Sequence, residues 1–202
     1  MIIPTIINKK VSALIYPDRS PGEYFITSDT FNKIPIPKNV YSFESKSQDI
    51  RFERKDRKLP SRIVTALKIE SDDNRILPCE CSLGITHKLR PPKRFHWGIW
   101  SYKFNSLLFI TANKVIYGDN EKSKVCIRLY SQKTDKVEEK NLDWKEISTD
   151  GINASIDIKK IFNQSVIDLE NFMYISLFSH YGGFSVYTTL EKGESISIEH
   201  CF

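Results

Sequence analysis

Residues 172–202 read FMYISLFSHYGGFSVYTTLEKGESISIEHCF, and this stretch decides the fold class. The runs Phe172 to Tyr181 and Phe184 to Leu190 are dense in aromatic and β-branched residues, which suit a pleated, half-buried surface. Gly182-Gly183 between them can take the positive φ that tight hairpin turns demand. Gly193 then separates a third run, Ser195 to Phe202, in which Ile196 and Ile198 share one face while Ser195, Ser197 and Glu199 share the other. The pattern predicts a C-terminal three-stranded antiparallel meander.

Working outward, Ile158, Ile161, Phe162, Ser165, Val166 and Leu169 fall on one stripe of a 3.6-residue helix, with Ser155 placed to cap its start. A helix near 156–170, packed across the meander, is therefore expected. Further strands are read from Arg62 to Ile69, from two aromatic-rich runs within residues 95–117, and from Val125 to Tyr130. In the last of these, Val125, Ile127 and Leu129 alternate with Cys126, Arg128 and Tyr130, the signature of a half-buried strand. The fold class expected is α+β, mainly antiparallel sheet with one amphipathic helix.

Residues 1–62 differ in character, because they hold six of the nine prolines: Pro4, Pro17, Pro21, Pro35, Pro37 and Pro60. Proline fixes φ and removes a ladder donor, so this segment should form edge strands and loops beside a core domain over 63–202. Residues 44–58, ESKSQDIRFERKDRK, carry only Ile50 and Phe52 as apolar anchors and read as a charged loop. No internal repeat occurs.

With 202 residues, 40% of them hydrophobic, the chain can bury a sizeable core without disulfides. Its apolar runs fall short of the roughly 20 residues that a spanning helix needs. The start, MIIPTIINKK, lacks the basic lead and long apolar stretch of a signal peptide, which predicts a cytoplasmic protein with reduced cysteines. The balance of 26 Ile against 4 Ala suits an AT-rich coding sequence.

The positive charge is concentrated. Residues 51–103 carry thirteen Lys and Arg against six acids, a surplus of seven in a chain whose net charge is +5. Arg51, Arg54, Lys55, Arg57, Lys58 and Arg62 form one cluster, and Lys88, Arg90, Lys93 and Arg94 form another. Such clusters build a local potential that recruits an anionic membrane surface or a phosphate backbone. The second cluster runs directly into Phe95, Trp97, Trp100 and Tyr102, and cations beside aromatic rings suit phosphates with stacked bases or a lipid headgroup boundary. The competing expectation is a ligand pocket or small enzyme site lined by Trp97, Trp100, Tyr102 and His87 or His96.

Signals for catalysis are weak, and no GxGxxG, GxxxxGK[ST], GxSxG or HExxH pattern is present. Cys79, Cys81, His87 and His96 supply zinc-type ligands, but a one-residue gap between the cysteines is shorter than structural zinc sites use. His200 and Cys201 are adjacent, which on a strand sends their side chains to opposite faces. No metal, cofactor or catalytic residue is assigned.

The order PPKRFHWGIWSYK over 91–103, a strand pair, the turn Leu142-Asp143-Trp144, an amphipathic helix and a final hairpin ending in Glu199-His200-Cys201-Phe202 resembles the C-terminal half of rhabdovirus-type matrix proteins. The family's Lys-rich N-terminal tail and PPxY motif have no counterpart here. The resemblance implies a non-enzymatic layer protein that binds an anionic membrane and an RNA nucleocapsid and self-associates. On that reading the basic residues of 51–62 and 88–94 make the contacts. Self-association is expected through the edge of the last strand, Ser195 to Phe202, unless Ile2 to Ile7 or Val11 to Ile15 pairs with it.

Overall fold

A computed structural model of the chain describes residues 10–16, 22–28, 31–36, 41–43, 50–55, 64–73, 75–82, 95–112, 124–148, 151, 153–179 and 184–201. Strands dominate it, all the pairings are antiparallel, and the helices are short. The chain divides into two compact units, Met1–Ile85 and Thr86–Phe202.

The first unit contains seven described strands: β1 (Lys10–Tyr16), β2 (Tyr24–Ser28), β3 (Phe31–Ile36), β4 (Tyr41–Phe43), β5 (Ile50–Arg54), β6 (Val64–Glu70) and β7 (Cys79–Ser82). They form a sheet of order β4-β1-β6-β7 and a second of order β3-β2-β5. Residues on both faces of β1 are buried, Ala13 and Ile15 on one and Ser12 and Leu14 on the other. Pro35 lies in the edge strand β3, where its missing N–H breaks no ladder, as its type requires. β6, which lies just inside the 63–202 core domain expected from the sequence, is paired along its whole length with β1, in the compact unit that ends at Ile85. Val11 to Ile15 accordingly pairs with β6 and β4, not with the last strand.

The second unit holds β8 (Phe95–Ser101), β9 (Leu108–Ala112), β10 (Lys124–Ser131), β11 (Lys136–Asp143), α1 (Trp144–Ile147), β12 (Asn153–Ile156), α2 (Ile158–Ile161), β13 (Phe172–Ser179), β14 (Phe184–Lys192) and β15 (Ser195–His200). Two four-stranded sheets result, β11-β10-β13-β8 and β12-β9-β14-β15. Their inner faces merge into one core: Val125, Ile127 and Leu129 from β10 and Met173, Ile175 and Leu177 from β13 join Leu108, Ile110 and Val186 of the other sheet. This is sheet-on-sheet packing, in which alternate residues of each strand point inward. Trp144 of α1 closes part of the core against Phe184, ring centroids 5.4 Å apart, and its Nε1 donates to the Gly151 carbonyl at 3.0 Å.

Two expectations need correction. The hairpin β14–β15 forms around Gly193 at φ +60°, but β13 does not join it. β13 pairs with β10 and β8 in the opposite sheet, so β13, β14 and β15 do not form a meander; Gly182-Gly183 lies outside the described residues. Both β13 and β14 are inner strands, and placing them in different layers lets their apolar faces cover each other's core instead of sharing one uncovered face.

The long helix is the second correction. Helix occupies only Ile158–Ile161, and its cap is Asp157, whose carboxylate accepts from the Lys159 N–H at 3.1 Å; Ser155 belongs to β12. The chain continues in tighter turns, with Val166 N–H donating to Asn163 and Ile167 N–H to Gln164. Asp168 then ends any helical path by accepting from the backbone N–H groups of Glu170 and Asn171. Turns of about three residues keep much of the stripe facing the core without a helix. Ile158, Phe162 and Val166 are therefore buried, whereas Ser165 and Leu169 are exposed.

Candidate interaction surface

The alternation of β8 sets the site. His96, Gly98 and Trp100 point inward, while Phe95, Trp97 and Ile99 point to the outer face. Antiparallel pairing carries that outer face across all four strands in transverse rows. One row is Asn141, Cys126, Phe178 and Phe95; the next is Glu139, Arg128, Ser176 and Trp97; the third is Val137, Tyr130, Tyr174 and Ile99. Phe172, opposite Ser101, extends the patch, and its ring stacks on Phe104 at 6.0 Å.

Outer faces of soluble sheets usually carry polar residues, so this one is unusual in chemistry. Phe95 is 45% exposed, Trp97 51%, Phe172 48%, Tyr174 47% and Val137 56%. A contiguous exposed apolar patch marks an interaction site. Polar groups lie among the rings: Arg128 Nε donates to Glu139 at 2.7 Å, Asn141 Nδ2 donates to the same carboxylate at 3.4 Å, and the Tyr130 and Ser176 hydroxyls are 3.4 Å apart. The hydrogen bond from Arg128 holds the Glu139 carboxyl below its ordinary range, and burial pushes the neighbouring Cys126 thiol up. Within this face Arg128 pairs with Glu139, and Lys124 with Asp143 at 4.0 Å.

Of the aromatic residues singled out in the sequence, Phe95 and Trp97 belong to this face. Trp100 does not: it is fully buried, with Nε1 donating to the Ser106 carbonyl at 3.3 Å. Tyr102 is half-buried beneath Lys159, whose Nζ lies 4.6 Å from the ring centroid. Trp97 and Trp100 thus stand on opposite faces of one strand, and the pocket expected from Trp97, Trp100 and Tyr102 is not formed. Phe172, Tyr174, Tyr130 and Arg128 were missed as site residues. The alternation of residues 172–178 carried the signal, F-x-Y-x-S-x-F against M-x-I-x-L, but which set faces outward depends on the covering sheet.

The basic clusters divide differently. Arg51, Arg54 and Lys55 lie in or directly after β5 in the first unit, whereas Arg57, Lys58, Arg62, Lys88, Arg90, Lys93 and Arg94 lie outside the described residues. Lys55 Nζ pairs with Glu23 at 2.9 Å, and the Arg54 guanidinium lies over Tyr24, 5.5 Å from its centroid. Lys33 pairs with Glu53 at 2.6 Å across the same sheet. Lys33, Arg54 and Lys55 thus make cross-strand contacts within this sheet.

Cys79 and Cys81 sit on β7 opposite Ile69 and Leu67, and burial, then the charge of Cys79, pushes the Cys81 thiol up to about 12. His96 is buried in the other unit with Nδ1 3.3 Å from the Cys201 carbonyl oxygen; His87 lies outside the described residues. Among the described residues no group of three or more His, Cys, Asp or Glu side chains could hold a metal. The His200 ring lies tilted against that of Tyr187, centroids 5.0 Å apart, while Cys201 is buried. Among the described residues, no helix is long and apolar enough to cross a membrane. Comparison of the chain with protein-family models, curated proteins and solved structures finds no match.

Proposed function

We propose that the protein is a non-enzymatic interaction protein that binds an anionic macromolecule with the outer face of the sheet β11-β10-β13-β8. The observation that carries this reading is the exposed row of rings on β8 and β13. It begins at Phe95, immediately after the sequence Lys88, Arg90, Lys93 and Arg94, which contains no acid. Rings supply contact area and cations supply long-range attraction, a pairing that suits a polyanion better than a neutral partner. The resemblance to rhabdovirus-type matrix proteins points the same way.

The test is binding at two salt concentrations to a single-stranded RNA and to anionic vesicles, for the native chain and for a variant with Lys88, Arg90, Lys93 and Arg94 replaced by Gln. Release of four counterions from a single strand gives a fall in affinity of about 50-fold for a fourfold rise in salt. The quadruple variant should bind weakly and lose most of that salt dependence. Binding to either polyanion that ignores both salt and the substitutions would refute the reading. Arg54 and Lys55 are left intact, because their contacts with Tyr24 and Glu23 would confound the result.

A further inference from the structure

We infer that the protein forms a homodimer in which β8 pairs antiparallel with β8 of a second copy, along the side of the strand turned away from β13. The site is a backbone edge, separate from the outer face proposed above for an anionic partner. Among the described strands β8 ends its sheet, held to β13 through seven consecutive residues, Phe95 to Ser101, without a bulge. Such an edge is a template for another strand unless charge, proline, a bulge or brevity blunts it. The other edges of this unit carry such devices. β11 has Lys136, Glu138, Glu139, Lys140 and Asp143 among its eight residues, β12 is only four residues long, and β15 carries Glu199. Phe95–Ser101 contains no Asp, Glu, Lys, Arg or Pro.

The chemistry of an edge selects its occupant. It presents backbone N–H donors and C=O acceptors at the spacing of a strand, and only another extended backbone answers both. A row of phosphates accepts without donating, and lipid hydrocarbon satisfies neither group. A second copy fits because β8 is self-complementary about its midpoint. Gly98 is the fourth of its seven residues, so a two-fold axis at Gly98 pairs the strand over its full length. Trp97 then lies opposite Ile99 of the second copy, and Ile99 opposite its Trp97. These are aromatic and β-branched cross-strand pairs, and with no charge on the strand no like charges meet. The pairing joins two sheets of four strands into one continuous sheet.

Sedimentation of the full chain over a wide concentration range, together with disulfide trapping, tests this. The native chain should pass from monomer to dimer as concentration rises. Trp97→Lys removes both Trp97–Ile99 pairs and should raise the dimer Kd about 2- to 30-fold. Tyr174→Lys, on the same outer face but on the inner strand β13, should leave the Kd unchanged. For trapping, Trp97→Cys and Ile99→Cys chains are oxidised separately and mixed, with the native chain as the control for its own thiols. Directly opposite residues lie within disulfide reach and diagonal ones beyond it, so covalent dimer should form chiefly in the mixture. A native chain that stays monomeric throughout would overturn the inference. Equal weakening by Trp97→Lys and Tyr174→Lys would overturn it in favour of two outer faces in contact, and weakening by neither would place the contact elsewhere. Trapping as efficient in the separate samples as in the mixture would refute the two-fold register at Gly98.

Discussion

Gly98 and Cys201 approach so closely that a β-carbon at position 98 would lie 2.5 Å from the Cys201 sulfur. Gly98 lies on the inner face of β8 and Cys201 directly follows β15, so the contact joins the two sheets at the end of the core, with His96 Nδ1 beside the Cys201 carbonyl. Gly98→Ala is expected to destabilise the second unit by about 1–3 kcal/mol, because well-packed cores accommodate an added methyl poorly. Adding Cys201→Ala should recover part of that loss. Urea unfolding of both variants measures the coupling, and a Gly98→Ala protein as stable as the native one would contradict the contact.

Trp97 and Trp100 should respond unequally to the same change. Trp100→Phe removes the bond from Nε1 to the Ser106 carbonyl and part of a fully buried ring, and should cost about 1–3 kcal/mol. Trp97→Phe, on the exposed face, should alter stability by no more than about 0.5 kcal/mol. Acrylamide should quench native emission chiefly at Trp97, so its loss in Trp97→Phe checks the assignment of faces independently of any ligand.

Asp168 links stability to pH. Hydrogen bonds from the backbone of Glu170, from the Asn171 side chain at 3.2 Å and from the Asn171 backbone hold its carboxyl below the usual carboxylate range. A depressed native pKa contributes stability that is fully present above the unfolded value, near ~4, and is lost as pH falls through the lower native value. Asp168→Asn should therefore lower stability at neutral pH and flatten its decline in acid. Parallel acid-dependent declines in the two proteins would show that this turn is not a determinant.

Cys81 should be inert in the folded protein. With its thiol pushed up to about 12 by burial, almost no thiolate exists at pH 8, and thiolate is the reactive form. Alkylation mapped by mass spectrometry should mark Cys81 only after denaturant is added. Rapid native labelling there would mean that β7 is not held against β6 as described.

Much of the fold is legible in the sequence. Alternation marked Val125, Ile127 and Leu129 as one face of β10 and Gly193 marked the β14–β15 hairpin, but the proline-rich segment read as edge strands and loops supplies the inner strands β1 and β2 as well as the edge β3, and the stretch 44–58 read as a charged loop contains the paired strand β5. The stripe from Ile158 to Leu169 was read with the right period at its start and the wrong element, because turns of three residues and helical turns of 3.6 keep similar positions inward over so short a span. Asp157 and Asp168 accept local backbone hydrogen bonds that frame the short helix and the turn beyond it, a competition between side chain and backbone that periodicity does not register.

By itself the sequence determined that this chain is β-rich, where its cations gather, and which residues of each strand share a face. Tertiary structure decided which face of β8 and β13 meets the opposite sheet, and hence that Trp97 and Tyr174 are exposed while Trp100 and Met173 are buried. It also brought Tyr174 opposite Ile99 and Tyr130, residues remote along the chain. The physical reason is that a period of two is blind to its own phase: a strand apolar on both sides takes its inside from the layer that covers it, and that layer is chosen by long-range pairing.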